Sequence, residues 1–403
     1  MSFNRCVKLT TVIIVSWFFF SCGGASKNNN KDIELIPIKT GKLYQYINKE
    51  GDVLINPQFK EAGIFSDGLA KVKSDVDDAK WKFINKDGKY VFSDEFVNVL
   101  DFSEGISWVV KEDSYPTAIN KSGEIVFSLP EAKLVSPFSE GLAAVSLSTE
   151  DGMRWGFVDK KGEFVISPQF LEVKEFSLGK CAVAEDPEDG LMWGYINSTG
   201  KLIINHQFPS AGNFVNNLAV VRSDDKEGLI NDEGKYIINP QYDKIFLDGG
   251  DLYIIVQNGK TGFCDKEGKI VINPQFEEGI GFLNNDLAPV KITGKFGYIN
   301  KQGKIIINPQ FDMALPFNNG IACVKSGRNY GFINEDGKYV INPQFNRPSS
   351  LVDFFKDQFS TISRYGNNTY NISTDFFDIS GILSALSLES ESGTPLELKL
   401  INF

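Results

Sequence analysis

The chain has 403 residues, of which 42% are hydrophobic and 23% charged. This balance can build a folded core and excludes a chain that stays disordered along most of its length. The 41 basic and 52 acidic residues give a net charge of −11 without any basic block, so we expect no nucleic-acid partner. Length alone suggests two or three domains, an estimate that an internal repeat would override.

The N-terminal residues have the pattern of a secretory signal. Arg5 and Lys8 precede an apolar run of twelve residues from Leu9 to Phe20. A bilayer-spanning helix needs about 20 apolar residues, so this run is too short for one. A basic start, a short apolar stretch and small residues at its end are typical of an export signal.

The end of this segment resembles a bacterial lipoprotein signal, in which the cysteine after a small residue receives the lipid. Ser21 and Cys22 match that pattern, whereas Phe19 stands where leucine is usual. The resemblance implies a signal peptide over residues 1–21 and lipid attachment at Cys22. A polar, asparagine-rich tether over residues 22–32 would follow. The alternative is an ordinary cleaved signal with an incidental cysteine.

Residues 33–346 consist of one repeated unit. A turn glycine marks each copy and recurs nine times, every 34 to 39 residues. The nine are Gly51, Gly88, Gly123, Gly162, Gly200, Gly234, Gly268, Gly303 and Gly337. A good copy runs from Gly294 to Phe311: an aromatic-Gly-aromatic segment, Ile-Asn, the turn, an apolar run and Asn-Pro-Gln-Phe. A second half follows, with another Phe, a turn and a small-apolar strand.

Each part of the unit has a local structural meaning. The alternating segment, such as Trp193–Asn197, predicts a short strand, and we expect its Gly to let an aromatic ring or a neighbouring backbone approach closely. Asn-Lys-x-Gly predicts a turn, and the β-branched run after it a second strand, so the two form a hairpin. Proline then ends the ladder because it lacks the N–H group. We expect three to four short strands per unit and no long helix between Ile33 and Phe345.

These residues resemble the WG-containing repeat of bacterial proteins, named for Trp-Gly. The pair itself stands at Trp155-Gly156 and Trp193-Gly194, and Phe296-Gly297 shows a variant with another aromatic residue. The resemblance covers the whole of residues 33–346. It implies an extracytoplasmic or interaction-type repeat protein, and it supplies no catalytic residues.

Two copies depart from the pattern. The third has Pro116-Thr117-Ala118 in place of the aromatic-Gly segment, and the sixth has Glu227-Gly228. Drift in a tolerant array is the simpler interpretation. Specialisation of the third copy for a partner or a bend is the alternative.

The expected fold class is an all-β tandem repeat of about nine antiparallel β-meander units. One unit cannot bury both of its faces, so neighbours must stack. Either an open twisted array or a propeller would achieve this. The units are shorter than a WD40 blade of roughly 40–45 residues. Nine units also exceed the usual range of about 4–8 blades. Both comparisons favour the open array.

Residues 347–403 lack the repeat and predict a small α+β cap. Helical spacing is shown by Leu351, Phe354, Phe355, Phe359 and Ile362, and a second helical pattern by Phe376, Ile379, Leu383 and Leu386. Terminal repeats need capping, which this segment could provide. The alternative is a fragment of a larger C-terminal domain.

Few side chains offer catalytic or metal-binding chemistry. His206 is the only histidine, so a Ser-His-Asp triad or a multi-histidine zinc site is hard to build. Cys181, Cys264 and Cys323 lie in different repeats without CxxC spacing. We expect them to be buried as small apolar residues, with a disulfide between two of them as the alternative.

Acidic residues provide two further candidates. The loop clusters are Asp75, Asp77 and Asp78, and Asp186, Glu188 and Asp189. Either could hold calcium, but neither has the EF-hand pattern, so solvated loops are expected. The turn acids Asp67, Glu104 and Glu140 could serve a glycoside hydrolase, yet they recur with the repeat, which favours turn chemistry. We therefore predict no catalytic residue, no metal site and no cofactor.

The sequence thus predicts a non-enzymatic, exported and lipid-anchored repeat protein that acts as a binding or scaffolding surface at the cell envelope. We expect the outer membrane or cell surface rather than the inner membrane, with an envelope protein or a glycan as partner. A carboxylate-dependent glycan hydrolase and a purely structural envelope protein are the alternatives.

Overall fold

A computed structural model of the chain describes residues 35–48, 52–186, 190–247, 250–283, 285–317 and 320–345. Within these ranges the regular structure consists of 33 strands, and no helix occurs. It follows that no helix in these ranges could cross a membrane. The predicted signal peptide, Cys22, the tether and the α+β cap over 347–403 lie outside the described residues.

The strands follow one another as a meander along the chain. They are β1 (Ile36–Thr40), β2 (Leu43–Ile47), β3 (Val53–Ala62), β4 (Ala70–Ser74), β5 (Lys82–Ile84), β6 (Asn98–Val99), β7 (Ile106–Val110), β8 (Thr117–Asn120), β9 (Ile125–Ser128), β10 (Leu134–Ser139), β11 (Leu142–Thr149), β12 (Gly152–Asp159), β13 (Phe164–Phe170), β14 (Glu172–Val173), β15 (Lys180–Glu185), β16 (Met192–Asn197), β17 (Leu202–Phe208), β18 (Ser210–Ala211), β19 (Leu218–Ser223), β20 (Lys226–Asn231), β21 (Tyr236–Tyr242), β22 (Lys244–Phe246), β23 (Tyr253–Gln257), β24 (Lys260–Cys264), β25 (Ile270–Phe276), β26 (Glu278–Gly279), β27 (Leu287–Ile292), β28 (Lys295–Asn300), β29 (Ile305–Phe311), β30 (Met313–Ala314), β31 (Ile321–Ser326), β32 (Asn329–Asn334) and β33 (Tyr339–Phe345).

The strands form eight antiparallel sheets, seven of four strands and one of five. A typical sheet has the order β26-β27-β28-β29, which we name the first to fourth strands of a unit. Units 3 to 9 begin at β6, β10, β14, β18, β22, β26 and β30. The five-stranded sheet joins units 1 and 2, because β3 pairs with β2 through Phe59 and then with β4 through Glu61. Nine repeats therefore give eight sheets.

The sheets are arranged in a ring as a β-propeller. Ile333 of unit 9 packs in one buried cluster with Tyr298 of unit 8. Ile47 occupies the matching position in unit 1 and packs with Cys323 and Phe332 of unit 9. The first unit thus contacts the last as each unit contacts the one before it. The all-β repeat prediction is confirmed, but the preference for an open array was wrong, because closure buries the apolar faces of both end units.

The glycine of the third strand allows a close backbone approach. A Cβ on Gly297 would lie 2.5 Å from the carbonyl oxygen of Ile307 and 2.7 Å from the nitrogen of Pro309. The fourth strand bulges here, since the pairing shifts between Phe296 and Tyr298. The same approach occurs at Gly156, Gly194, Gly228, Gly262 and Gly331. This confirms the predicted role of the glycine, and the neighbour is backbone rather than an aromatic ring.

The repeated aromatic residues pack neighbouring units together. The ring of Tyr298 in unit 8 lies 4.9 Å from that of Phe317 in unit 9. The Tyr298 hydroxyl also donates a hydrogen bond of 2.8 Å to the Leu315 carbonyl in the same neighbour. Equivalent ring pairs join Phe83 to Phe102, Phe157 to Phe176, Tyr195 to Phe214 and Phe263 to Phe282. The high phenylalanine content therefore serves the interfaces between units.

Candidate functional site

A belt of exposed apolar residues follows the third strand of every unit and begins the fourth strand in all units but the second, where Tyr90 forms only an isolated bridge with Ile84. It consists of nine adjacent pairs, which together include 18 of the 23 large hydrophobic side chains exposed in the described residues. The pairs are Val53-Leu54, Tyr90-Val91, Ile125-Val126, Phe164-Val165, Leu202-Ile203, Tyr236-Ile237, Ile270-Val271, Ile305-Ile306 and Tyr339-Val340. We call these residues the belt. Apolar exposure on this molecule is therefore periodic and confined mostly to one position of the repeat.

The belt breaks the usual burial pattern of a strand. In β29, Ile305 and Ile306 are 41% and 46% exposed, whereas Ile307 is 4% exposed. A half-buried strand would alternate instead, with one apolar side chain in and one polar side chain out. The pairing of β29 with β28 shifts here from Tyr298–Ile307 to Ile299–Ile305, so Ile306 lies in a bulge and the alternation is interrupted. Contiguous apolar exposure of this kind is typical of interaction surfaces.

Neutral amides lie beside the apolar pairs. Asn308 and Gln310 are exposed, and Pro309 stands between them. The same order of two exposed apolar residues, a buried isoleucine, an exposed polar residue and an exposed glutamine recurs in β13, β17, β21 and β25. The amides offer hydrogen-bond donors and acceptors without charge. Proline removes an N–H group from the strand edge, which disfavours the addition of a foreign strand there.

Two belt tyrosines contact a buried phenylalanine of the unit before. The ring of Tyr236 in unit 6 lies 6.4 Å from that of Phe208 in unit 5, and Tyr339 lies at the same distance from Phe311. Between units 7 and 8 a cleft of about 250 Å³ is lined by Gln275, Phe276, Glu277, Lys291, Thr293 and Ile305, among others. Ligand pockets usually have about 300–1,000 Å³, so the belt is an extended surface rather than a pocket.

The turn acids that suggested a hydrolase have a structural partner. The Glu140 carboxylate accepts a hydrogen bond of 2.8 Å from the Gly179 amide in the next unit. The Ser139 hydroxyl beside it donates one of 2.9 Å to the carbonyl of Phe176. Matching bonds join Asp67 to Gly105, Glu104 to Gly141, Ser66 to Phe102, Ser103 to Phe138 and Ser177 to Phe214. These hydrogen bonds between the turns of neighbouring units, which we call the ladder, connect units 2 to 6.

Replacing Glu140 with alanine should lower the free energy of unfolding by about 1 kcal/mol, because the Gly179 amide loses its acceptor. A Glu140→Gln variant keeps an acceptor oxygen and should lose less. Glu150→Ala, at an exposed turn position, should change stability little. Urea unfolding of the three variants measures this. Equal midpoints for Glu140→Ala and Glu150→Ala would show that the ladder is not stabilising.

The histidine and cysteines lie apart from one another in the propeller. His206 lies in the bulge of β17 beside Gly194. Its Nδ1 is 3.9 Å from a carboxylate oxygen of Glu185. Its Nε2 is buried and has no hydrogen-bond partner among the described residues. Cys181, Cys264 and Cys323 are buried free thiols, and burial raises the pKa of each, that of Cys264 to about 12. The prediction of buried apolar cysteines is confirmed, and the disulfide alternative is wrong.

The acidic loop clusters gain no support as a metal site. Asp75, Asp77 and Asp78 lie on an exposed loop, and Glu188 and Asp189 lie outside the described residues. Within the described ranges no three histidine, cysteine or acidic side chains are placed to hold a metal ion together.

The sixth unit buries a carboxylate where most other units place an aromatic residue. Glu227 accepts a hydrogen bond of 2.8 Å from the Ile245 amide, and Lys244 Nζ lies 3.5 Å from its other oxygen. Burial raises the pKa of the Glu227 carboxyl above its ordinary value, and the nearby Lys244 ammonium opposes that shift only in part. The sequence change at Glu227-Gly228 is thus accommodated by local hydrogen bonding. The third unit, likewise, keeps its four strands despite Pro116–Ala118.

A raised pKa in the folded state has a defined effect on stability. The folded protein holds the Glu227 proton more tightly than the unfolded chain, so stability should fall as pH rises from the unfolded to the folded pKa. Glu227→Gln removes this dependence at one site. Its stability relative to the parent should therefore be higher at pH 7 than at pH 4, as measured by urea unfolding at both values. If the stability difference between Glu227→Gln and the parent were the same at both pH values, the raised pKa of Glu227 would be contradicted.

Sequence reasoning did not find the belt. Its signal was present, since two consecutive apolar residues follow the turn glycine in every copy, but strand alternation leads one to expect only one of each pair at the surface. The sequence predicted that the repeated acids of the ladder lie in turns, but it did not predict their hydrogen-bond partners in the next unit.

The fold and the repeats define the class of protein. The chain is a repeat β-propeller, a fold that offers a binding or scaffolding surface. The WG containing repeat family matches residues 46–76, 83–115, 155–186, 193–226, 228–260, 262–296, 296–329 and 330–360, which is more than half of the chain. The protein therefore belongs to the WG containing repeat family.

Two solved structures illustrate what the chain is similar to in shape. A crystal structure of "the eukaryotic initiation factor" is 12% identical with a TM-score of 0.57, and the match covers 78% of this chain and 96% of that chain. BamB from Moraxella catarrhalis is 11% identical with a TM-score of 0.38, over 68% and 90% of the two chains. At such identities the first likeness shows the fold alone. No curated protein matches the sequence.

Proposed function

We propose that the protein is an exported, lipid-anchored scaffold at the bacterial cell envelope and that the belt binds its partner. The observation that carries this proposal is the ninefold recurrence of an exposed apolar pair at one position of the repeat. Soluble proteins rarely leave large apolar surface in such a regular arrangement unless a partner covers it. Repetition would let one partner contact several units at once, which raises avidity.

The chemistry of the belt favours a neutral partner surface. Aliphatic and aromatic side chains alternate along it with asparagine and glutamine, and its defining positions carry no charge. Such a mixture suits the apolar core and neutral rim of a protein interface, or the hydroxyl groups and C–H faces of a glycan. An envelope protein or a cell-surface glycan is therefore the proposed partner. The turn acids already bind neighbouring units, so no observation favours the hydrolase alternative.

Site-specific crosslinking tests the belt. A photoreactive amino acid at Ile305 or Tyr236 in intact cells should capture one common partner, whereas the same group at the exposed turn residue Lys266 should not. The double variant Ile305→Lys/Ile306→Lys should weaken that capture at Tyr236 without unfolding the protein, as checked by circular dichroism. Equal capture from Lys266, or unchanged capture by the double variant, would contradict the proposal.

Lipid attachment is tested separately. The proposed anchor at Cys22 rests on the sequence resemblance, with residues 1–21 as the signal peptide. Cells fed a radiolabelled fatty acid should label the parent protein and not Cys22→Ala, and the variant should leave the membrane fraction. The anchor proposal fails if the variant is labelled, or if neither protein is. The belt proposal is independent of that outcome.

A further inference from the structure

The cleft between units 7 and 8 has both apolar and polar walls. Its volume is about 250 Å³, and its apolar part comes from Phe276 at the end of β25 and Ile305 at the start of β29. Its polar part consists of one amide, one hydroxyl, two ammonium groups and one carboxylate, from Gln275, Thr293, Lys260, Lys291 and Glu277. Pockets for whole small molecules usually have about 300–1,000 Å³. This cleft therefore suits a single ring or side chain.

Two other junctions of the ring show what fits against such a phenylalanine. In unit 6 the residue equivalent to Ile305 is Tyr236, and its ring lies 6.4 Å from that of Phe208 in an edge-to-face arrangement. In unit 9 the equivalent residue is Tyr339, which lies in the same way at 6.4 Å from Phe311. Aromatic pairs favour this geometry. Isoleucine is smaller than tyrosine, so the junction of units 7 and 8 keeps space beside its phenylalanine.

The charges at this cleft also differ from those at its neighbours. In units 6 and 8 the first lysine of the third strand forms an ion pair with the aspartate that follows the fourth strand; the pairs are Lys226–Asp243 and Lys295–Asp312. Lys260 is the equivalent lysine of unit 7, and it is exposed without an ion pair to another described residue. Glu277 replaces the aspartate, but its carboxylate accepts a hydrogen bond of 3.0 Å from the Gly294 amide. Since Lys291 pairs with Glu278, Lys260 is the cation that an anionic group could bind.

We propose that this cleft anchors the protein partner by receiving an aromatic side chain that stands beside a carboxylate. The inference rests on the function proposed for the belt and favours a protein over a glycan as its partner. The aromatic ring would lie against Phe276 as the tyrosines of units 6 and 9 lie against their phenylalanines. The carboxylate would pair with Lys260, as the aspartates of units 6 and 8 pair with their lysines. Aromatic anchors of this kind often dominate the energy of a protein interface.

Small probes with one ring test the cleft in the full-length protein. Ligand-observed NMR should show binding of N-acetyltyrosine with a dissociation constant of about 1 mM, near what a ligand of its size allows. N-acetyltyrosinamide has the same ring without the carboxylate and should bind about two- to fivefold more weakly, since an exposed ion pair contributes little. N-acetylglucosamine should bind more weakly than both. Absence of N-acetyltyrosine binding, equal binding of the two tyrosine probes, or tighter binding of the sugar would overturn the proposal.

Variants assign the binding to the cleft. Ile305→Tyr supplies the ring that units 6 and 9 already contain and should weaken N-acetyltyrosine binding about tenfold or more by filling the space. Val76→Tyr adds a tyrosine at a 59% exposed position outside the belt and should not weaken it. Lys260→Gln should abolish the difference between the two tyrosine probes, whereas Lys266→Gln should keep it. If Ile305→Tyr bound N-acetyltyrosine as tightly as the parent, the ring would bind elsewhere and the proposal would fail.

Crosslinking in intact cells separates this inference from the proposal for the whole belt. Capture of the partner from a photoreactive group at Tyr236 should fall in the Ile305→Tyr variant. Unchanged capture by that variant, together with no binding of the tyrosine probes, would reject the cleft as an anchor and leave the belt as the binding surface. Absence of capture in the parent protein would contradict the belt proposal and this inference with it.

Discussion

Replacing Gly297 with alanine should lower the free energy of unfolding by about 3 kcal/mol, near the upper end for overpacking. The new methyl group would stand 2.5 Å from the Ile307 carbonyl oxygen and 2.7 Å from the Pro309 nitrogen. Both atoms belong to the backbone of β29, so they cannot move aside as a flexible side chain would. The strand would have to separate from β28 or give up its bulge. Urea unfolding followed by tryptophan fluorescence measures the loss.

Gly294→Ala is the matched control, three residues earlier in the same unit. Gly294 has φ of 78°, and a Cβ there would meet nothing within 4 Å. The control therefore carries only the cost of a left-handed conformation, about 1–2 kcal/mol. If Gly297→Ala lost no more stability than Gly294→Ala, the close approach of the two strands would not be the reason for this glycine.

Ile47→Asp should destabilise the protein by about 3–5 kcal/mol, because it places an unpaired carboxylate in a buried apolar cluster. Ile47 is 3% exposed and packs with Cys323 and Phe332, so the damage falls on the contact between the first and last units. Val53→Asp is the control in the same unit, since Val53 is 46% exposed. It should change stability by less than about 0.5 kcal/mol.

The readout for Ile47→Asp includes the radius of gyration as well as the unfolding midpoint. Small-angle scattering in mild urea should show the ring opening before the sheets melt, which Val53→Asp should not do. A loss of stability without any expansion before the main transition would mean that Ile47 stabilises unit 1 alone. That result would count against a closing contact at this position.

The local structure of each unit could be predicted from its own residues. Asn-Lys-x-Gly predicted the hairpin turn and the aromatic-Gly segment predicted the third strand. The expectation that proline ends the ladder was wrong, because β29 continues through Pro309 and Phe311 pairs with Phe296 after a bulge. These signals act within a few residues, so one copy carries them all. The burial of the repeated phenylalanines and of Cys181, Cys264 and Cys323 also followed from composition and spacing.

The arrangement of the units could not be predicted in the same way. Ring closure depends on a small rotation between neighbouring units that adds up around the ring, and no single residue encodes it. The contact that reveals closure, Ile47 with Phe332, joins positions at opposite ends of the repeat array. Unit length and number alone argued for an open form and misled, because units 1 and 2 share one sheet and the nine units therefore form eight sheets.

The belt and the ladder fall between these extremes. Adjacent apolar residues such as Ile305 and Ile306 were visible in every copy, but their joint exposure goes with a shift in strand pairing that places Ile306 in a bulge. The repeated turn acids were recognised, while their partners in the next unit, such as Gly179 for Glu140, required the stacked geometry.

Ring closure is tested most directly by two distances in the folded protein. Spin labels on cysteines at the belt residues Val53 in unit 1, Leu202 in unit 5 and Tyr339 in unit 9 can be paired for pulsed electron resonance, since the native cysteines of the described units are buried. The propeller predicts that positions 53 and 339 lie closer together than positions 53 and 202. An open array would give the reverse order, with positions 53 and 339 the farthest apart, and would contradict the account.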